Sequence, residues 1–198
     1  MLVLASKSPA RNALLAGAGL EFESSPAAID ERAIEATLLG KSPEVVAMAL
    51  AEAKALVVSA QRPGDLVIGA DQVLALGDAR FHKPADLGEA RMQLRALRGR
   101  THALHSGIAL VRNGTMLWSG VETAKLTMRE FADAELDAVL ADEGEAALSS
   151  VGGYRLEGPS IRLFETISGD YFTILGLPLL VLLAALRTYA DPTPKGFT

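Results

Sequence analysis

Apolar runs alternate with amphipathic helical patterns along most of this chain. Short apolar or β-branched runs, which are typical of buried strands, occupy residues 2–5 and 66–68, and strands are also predicted at residues 22–24 and 161–167. Helices are predicted to begin at Pro9, Pro43, Asp86, Asp133 and Pro178, where a capping residue or a proline opens each periodic segment. Hairpins are predicted at residues 73–82 and 102–128, the second around Asn113-Gly114. Since hairpins interrupt the strand–helix alternation, the pattern predicts an α/β fold with a mixed sheet.

Length and composition set the frame for this fold. A chain of 198 residues with 49% hydrophobic content supports one sizeable core. We predict a single two-lobed domain over residues 1–190 and a frayed tail over 191–198. Cysteine is absent, which excludes disulfides and cysteine nucleophiles and fits a reducing cytoplasm.

Charge and hydropathy exclude two further classes of partner. The net charge is −5 and the pI is about 5.3, so a broad basic face for nucleic acid is not expected. The N-terminus lacks the basic and long apolar segments of a signal peptide. The longest apolar run, residues 174–186, is broken by Gly176 and Pro178 and is too short to span a membrane. We therefore expect a cytoplasmic protein.

A carboxylate follows the buried run at residues 66–68. Gly69-Ala70 is predicted to end this strand, which places Asp71 and the neighbouring amide of Gln72 at the strand exit. Ligands of open α/β sheets bind at that edge, so Asp71 is a candidate for catalysis or metal binding. The alternative is a turn residue or helix cap.

The loop Ser6-Lys7-Ser8-Pro9 lies between the first strand and the first helix. A helix N-terminus after a polar loop presents N–H groups and hydroxyls to an anion, and Arg11 adds a cation one turn later. Ser8 and Pro9 equally fit an N-cap and a first helical residue. Phosphate binding and capping are compatible, and both interpretations stay open. The glycine spacing of a Walker loop is absent.

Two adjacent acids and two lysines complete the candidate chemistry. Asp30 and Glu31 follow an apolar residue, and on a strand or turn at most one of them would face a shared site. Lys54 lies beside the apolar stripe of its helix, where a snorkelling lysine is the ordinary interpretation, and Lys83 follows a hairpin. Carboxylates that hold a divalent ion, beside cations that bind oxyanions, indicate phosphoryl or nucleotidyl chemistry.

Several motifs occur together in one order and spacing. They are Leu-Val-Leu-Ala-Ser-Lys-Ser-Pro-Ala-Arg11, Ile-Asp-Glu31, Ala-Glu-Ala-Lys54-Ala, Ile-Gly-Ala-Asp71-Gln-Val, His-Lys83-Pro, and Gly-Asp170-Tyr followed by Gly-Leu-Pro178. In this arrangement the chain resembles the Maf family of nucleoside triphosphate pyrophosphatases from residue 2 to about residue 186. The resemblance implies a Maf/Ham1 (ITPase-like) fold, with a mixed sheet, flanking helices and a cleft between two lobes.

The resemblance also implies an activity and site residues. The implied reaction is hydrolysis of a nucleoside triphosphate to the monophosphate and pyrophosphate with Mg²⁺ or Mn²⁺. Asp71 would activate water or hold the metal and Glu31 would be a second acidic residue, with Lys83 also in the catalytic set. Ser6, Arg11 and Lys54 would bind the triphosphate, as would Lys83. Family members are commonly homodimers, which is the expectation here.

Departures from the family pattern bear on the substrate. Asn12 stands where many members have a second basic residue. Gln72 and Glu157 resemble the branch that acts on 7-methyl-GTP more than the branch that acts on dTTP and UTP. A carboxylate facing the base would accept hydrogen bonds from a guanine edge. Ala10, however, stands where that branch often has tryptophan, so a stacking partner for the base would be lost. On the evidence of Gln72 and Glu157, a modified guanine nucleotide is still the first choice of substrate.

Two alternatives to this pyrophosphatase remain open. The family takes its name from an effect on septum formation, so a non-catalytic nucleotide-binding regulator of cell division is one. A metal-dependent phosphatase that acts on another phosphate ester is the other. Release of pyrophosphate or of orthophosphate separates the two enzymes.

Overall fold

The computed structural model describes residues 1–190 as a mixed α/β structure. Its strands are β1 (Leu2–Leu4), β2 (Glu23–Ser24), β3 (Leu66–Leu76), β4 (Ala79–Phe81), β5 (Thr101–Arg112), β6 (Thr115–Met128) and β7 (Phe164–Ser168). Its helices are α1 (Pro9–Gly17), α2 (Glu31–Thr37), α3 (Pro43–Gln61), α4 (Leu87–Leu97), α5 (Asp133–Glu143), α6 (Tyr171–Ile174) and α7 (Leu179–Tyr189). Short 3₁₀ helices cover Gly144–Ser149, Val151–Gly153 and Pro159–Leu163. The tail predicted at 191–198 lies outside the described residues.

The strands form one mixed sheet, which confirms the predicted fold class. The order is β2-β1-β3-β5-β6-β7, and β4 pairs with β3. β1 is parallel to β2 and β3, whereas β3 with β4 and β6 with β7 are antiparallel. Among the helices of residues 1–190, none has the length and hydropathy needed to cross a bilayer.

The chain divides into two compact units. The first contains Met1–Gln72, Ser106–Glu122 and the residues from Asp170 onward, and the second contains Val73–His105 and Thr123–Gly169. In the first unit, alternation along β1 and β3 sends Leu4 and Ile68 into a core with α1 and α7. Val3 and Val67 face the other way, into a cluster with α3. This part of the sheet is therefore covered by helices on both faces.

Helix α3 lies unusually close to the sheet. A Cβ at Gly69 would fall 2.0 Å from the backbone oxygen of Ala51, and a Cβ at Gly107 would fall 2.4 Å from that of Ala47. Only glycine fits at these two strand positions, because any side chain would enter the backbone of α3. Gly69 therefore does not end the strand, as the sequence had predicted. That prediction was wrong, and Asp71 lies inside the continuous strand β3.

The second unit contains α4, α5, β4, β7 and the three 3₁₀ helices. Its interior includes a buried pair in which His102 Nε2 lies 2.8 Å from the hydroxyl of Tyr154. Both rings lie near Phe164, with centroids 6.1 Å and 5.0 Å from it. Burial lowers the pKa of His102 to about 4 and raises the pKa of Tyr154. His102 is therefore a neutral core histidine at physiological pH.

Local signals placed most helix ends and turns correctly. Ser8 caps α1, and Asp86 accepts a hydrogen bond from the N–H of Glu89 at the start of α4. Asn113 and Gly114 both have positive φ, as a type I′ hairpin turn requires. Asp133, predicted as a cap, is instead the first residue of α5, and its carboxylate pairs with Arg98. The last strand begins at Phe164, after a 3₁₀ turn, rather than at residue 161.

Candidate active site

The centre of the candidate site is an ion-pair triad on the α3 side of the sheet. Lys54 Nζ lies 2.5 Å from Asp71 Oδ1 and 2.8 Å from Glu31 Oε1. The side chains of Lys54 and Asp71 are 11% and 10% exposed, whereas that of Glu31 is 51% exposed. Lys54 is therefore a buried, paired cation. The ordinary interpretation of a snorkelling lysine is wrong here.

Three backbone elements bring this triad together. Asp71 lies two residues after Gly69 and so on the same face of β3, which α3 approaches closely. Lys54 lies on α3 between Ala51 and Ala55, which pack against that face. Glu31 is the first residue of α2, and Asp30 caps this helix by accepting from Ala33 N–H. The structure thus answers which of the two adjacent acids reaches the site.

The environment of Asp71 changes its acidity. Burial raises the pKa of Asp71 above its ordinary value, while the positive charges of Lys54 and Arg11 oppose this shift and Glu31 adds to it. Within residues 1–190, Lys54 is the hydrogen-bond donor to Asp71, and it reaches only Oδ1. Asp71 therefore has a raised pKa and a second oxygen without a donor among these residues, which suits a group that accepts a proton.

Arg11 extends the site toward the first loop. Its Nε donates to Gly176 O at 2.7 Å, and its Nη1 donates to Ala70 O at 3.0 Å and Ser6 Oγ at 3.3 Å. Nη2 has no acceptor among the described residues, so this nitrogen is available to a ligand. Burial lowers the pKa of Arg11, and Asp71 and Glu31 oppose the shift. An arginine remains charged at neutral pH even so.

Ser6 is oriented by the same contacts. Its Oγ accepts from Ser8 N–H at 3.2 Å as well as from Arg11. The Ser6 hydroxyl has no acceptor among the described residues, so its proton is available to an incoming oxyanion. Asn12 supports this loop through its side-chain amide, which donates to Ser8 O at 2.8 Å, and its oxygen accepts from Ser24 Oγ. Capping at Ser8 is confirmed, and phosphate binding stays a prediction.

Gln72 has a fixed orientation on the opposite face of the strand. Its Nε2 lies 3.0 Å from each of Ser106 Oγ, Thr173 O and Ile174 O. Since backbone carbonyls only accept hydrogen bonds, the amide nitrogen must face α6 and Oε1 must face away from these groups. Gln72 therefore offers a ligand an acceptor and no free donor. Contact between Gln72 and a base stays a prediction.

The remaining two predicted residues lie in the second unit. Lys83 is exposed after β4. Glu157 lies between two 3₁₀ helices, and its Oε1 accepts from Arg155 Nε at 3.2 Å. The structure therefore places Ser6, Arg11, Glu31, Lys54, Asp71 and Gln72 in the first unit, and Lys83 and Glu157 in the second.

Sequence reasoning missed the residues that hold these side chains. Gly176 and Ala70 accept from Arg11 through their backbone oxygens, which no side-chain pattern could indicate. Ser106 donates to Thr173 O at 2.8 Å and so supports the α6 carbonyls that orient Gln72. Helix α6 itself was not predicted, although Asp170 caps it and is a recognisable signal.

A metal ion would have two carboxylate ligands available here. The described residues contain no group of three or more histidine, cysteine, aspartate or glutamate side chains that could hold a metal. Mg²⁺ is commonly bound through one or two carboxylates together with substrate phosphates. Asp71 and Glu31, both within hydrogen-bond distance of one Lys54 nitrogen, fit an ion that arrives with its substrate rather than a resident cage.

Comparison with known proteins adds the family context. A family profile described as "Maf-like protein" matches residues 1–189. The "7-methyl-GTP pyrophosphatase" of Brucella abortus is 56% identical over 188 residues, 94% of each chain. That of Mesorhizobium japonicum is 57% identical over 94% of this chain and 95% of that one. The "Nucleoside triphosphate pyrophosphatase" of Rhodopseudomonas palustris is 55% identical over 94% of this chain and 92% of that one.

One solved structure also aligns with the chain. It is the structure of a HAM1 protein from Coxiella burnetii, with a TM-score of 0.41, 18% identity, and coverage of 64% of this chain and 72% of that one. This likeness is too distant to bear on function.

Proposed function

Because this chain belongs to the Maf-like protein family, we propose that it is a nucleoside triphosphate pyrophosphatase that releases a nucleoside monophosphate and pyrophosphate. The structural observation that carries the proposal is the buried Lys54, held between Asp71 and Glu31 beside Arg11. Carboxylates and cations at one place are what attack on an anionic phosphorus centre requires. The expected reaction is attack of water at the α-phosphorus.

Asp71 is the general base in this proposal. Its Oδ2 accepts the proton of the attacking water, and the pKa raised by burial brings the carboxyl nearer to the pH at which a base works best. Lys54 holds Oδ1, which fixes the direction of Oδ2. Arg11 Nη2 and the Ser6 hydroxyl bind triphosphate oxygens, with Lys83 as a further cation.

Charge balance supports a divalent metal as part of the substrate complex. Arg11 and Lys54 are matched by Asp71 and Glu31, so these four side chains have no formal net charge. A triphosphate would therefore bring uncompensated negative charge to the site. Mg²⁺ or Mn²⁺ on Asp71 and Glu31 would neutralise charge that develops on the leaving pyrophosphate. Calorimetric binding of a non-hydrolysable triphosphate with and without metal, rather than activity alone, tests this role.

A guanine-type base is the preferred substrate in this proposal. Gln72 Oε1 and the carboxylate of Glu157 are both acceptors, and the Watson–Crick edge of guanine carries N–H donors. The relatives named 7-methyl-GTP pyrophosphatase agree with this preference. Uracil and thymine carry a single N–H donor on that edge, whereas guanine carries N1–H and an amino group, so either pyrimidine would leave one of the two acceptors without a partner. A homodimer stays a prediction from the family, and a cytoplasmic location stays a prediction from the sequence.

The test is a substrate panel of canonical and modified nucleoside triphosphates with Mg²⁺ or Mn²⁺. Pyrophosphate and monophosphate should appear in equal amounts for the wild type and be lost in Asp71→Asn. Orthophosphate release would instead indicate attack at a terminal phosphorus and a different phosphatase. Absence of turnover across the panel, together with tight triphosphate binding, would favour the regulatory alternative.

A further inference from the structure

A buried carboxylate outside the triad organises the loop that contains Glu157. Glu143 is the last residue of α5, and its side chain is 1% exposed. Its Oε2 accepts two hydrogen bonds from Ser160, one from the backbone N–H at 3.0 Å and one from Oγ at 2.7 Å. Glu143 therefore fixes the end of the segment 155–160.

The other oxygen of Glu143 is not satisfied in this way. Glu143 Oε1 is buried and has no hydrogen-bond partner among the described residues. The Nη1 of Arg155 lies 3.6 Å from it, and the Nε of the same arginine donates to Glu157 at 3.2 Å. A buried carboxylate is costly unless it is paired, so Arg155 is held by its charge between a buried acid and an exposed one.

The backbone of the segment is shaped to pass over this carboxylate. A Cβ at Gly158 would lie 2.5 Å from Glu143 Oε1 and 2.7 Å from Oε2. Gly158 has an extended φ of −122°, so space rather than conformational strain requires glycine there. The ion pair with Arg155, the two hydrogen bonds from Ser160 and the close passage of the backbone at Gly158 thus all involve one buried side chain.

We propose that Glu143 is a positioning residue for substrate selectivity, which fixes the orientation of Glu157 through Arg155 and the 158–160 backbone. This inference rests on the proposed function, in which Glu157 contacts the base. Glu143 does not itself touch the substrate. Its removal should therefore affect the choice of base and leave the chemistry at the phosphorus unchanged.

The test compares Glu143→Gln with Glu145→Gln on the two nucleoside triphosphates that the wild type discriminates most. Glutamine keeps an acceptor for Ser160 but loses the charge that holds Arg155. The ratio of the two kcat/KM values should fall about tenfold, mainly through a higher KM for the preferred substrate, with kcat retained. Glu145 is exposed, two residues along the chain, and its variant should keep the wild-type ratio.

A ratio of two substrates is independent of the fraction of protein that is folded, which separates selectivity from stability. An unchanged ratio in Glu143→Gln, with active wild-type enzyme, would overturn the inference and leave the proposed function intact. A wild type that releases no pyrophosphate would instead overturn the proposed function. If Glu143→Gln does not fold, Arg155→Met makes the same test without touching the Ser160 contacts, and an unchanged ratio there is equally decisive.

Discussion

Removal of the Lys54 charge should destabilise the protein in a way that depends on pH. Lys54→Met keeps most of the side-chain volume but leaves Asp71 buried without its hydrogen-bond partner. Loss of one member of a buried ion pair typically costs about 3–5 kcal/mol. The contribution of Glu31 should be small, because half of its side chain is exposed and solvent replaces the lysine there. The expected loss of unfolding free energy near neutral pH is therefore about 3–5 kcal/mol.

The sign of the pH dependence follows from proton binding. Burial already raises the pKa of Asp71 in the folded state, and the loss of Lys54 would raise it further. The folded variant then binds more protons than the unfolded chain between the two pKa values, so its stability falls as pH rises through that window. At lower pH the carboxyl is protonated and most of the penalty disappears. The loss should shrink by up to about 1.4 kcal/mol for each pH unit of that window.

Urea unfolding at about pH 5 and about pH 8 measures this difference. The fluorescence of Trp118, the single tryptophan, reports on the unit that contains the triad. The double variant Lys54→Met/Asp71→Asn removes the stranded charge and should recover most of the stability lost at the higher pH. Lys41→Met, at an exposed lysine, is the matched control and should change little. An equal loss at both pH values, or no recovery in the double variant, would refute the reasoning.

The remaining predictions concern the base, the helix contact and the buried histidine. Asp71→Asn should reduce kcat by at least about 100-fold while keeping a cooperative urea transition, because it removes proton acceptance but keeps the shape. Gly69→Ala should cost about 3 kcal/mol or more, since its Cβ would lie 2.0 Å from Ala51 O, whereas Gly17→Ala, with nothing within 4 Å, should be neutral or stabilising. His102, with a pKa lowered to about 4, binds fewer protons folded than unfolded, so stability should fall by up to about 3 kcal/mol from about pH 6.5 to pH 4. Its ring resonances in an NMR titration should not shift above about pH 5.

Local sequence signals were sufficient for features that a few neighbouring residues determine. Ser8 with Pro9 opened α1, and Asn113-Gly114 turned the long hairpin, because caps and tight turns depend on the backbone of adjacent residues. The side chains of the candidate site were singled out from the sequence and their roles stay predictions, but the contacts among them were not predicted. Arg11 meets Gly176 across 165 positions, a distance that no periodicity encodes.

Errors arose where one residue type serves two purposes. Gly69 resembled a strand end because glycine usually interrupts strands, but here it makes room for a helix. Asp30 and Glu31 could not be separated without knowledge that α2 begins between them, which makes one a cap and sends the other to Lys54. In both cases tertiary contact decided what local propensity left open.

The close approach of α3 is what makes the ion pair of the site possible. Gly69 lets the backbone of α3 come close to the strand at Ala51. Lys54 lies about one helical turn after Ala51, and from there its Nζ reaches Asp71 Oδ1 at 2.5 Å. A larger residue at position 69 would move the whole helix, and the lysine with it, because the obstructing atom belongs to backbone and cannot rotate away. The small residues Gly69 and Ala51 and the ion pair of Lys54 with Asp71 therefore depend on each other. In the sequence, this close packing corresponds to the pattern Gly-x-Asp on β3 together with Ala-x-x-Lys-Ala on α3.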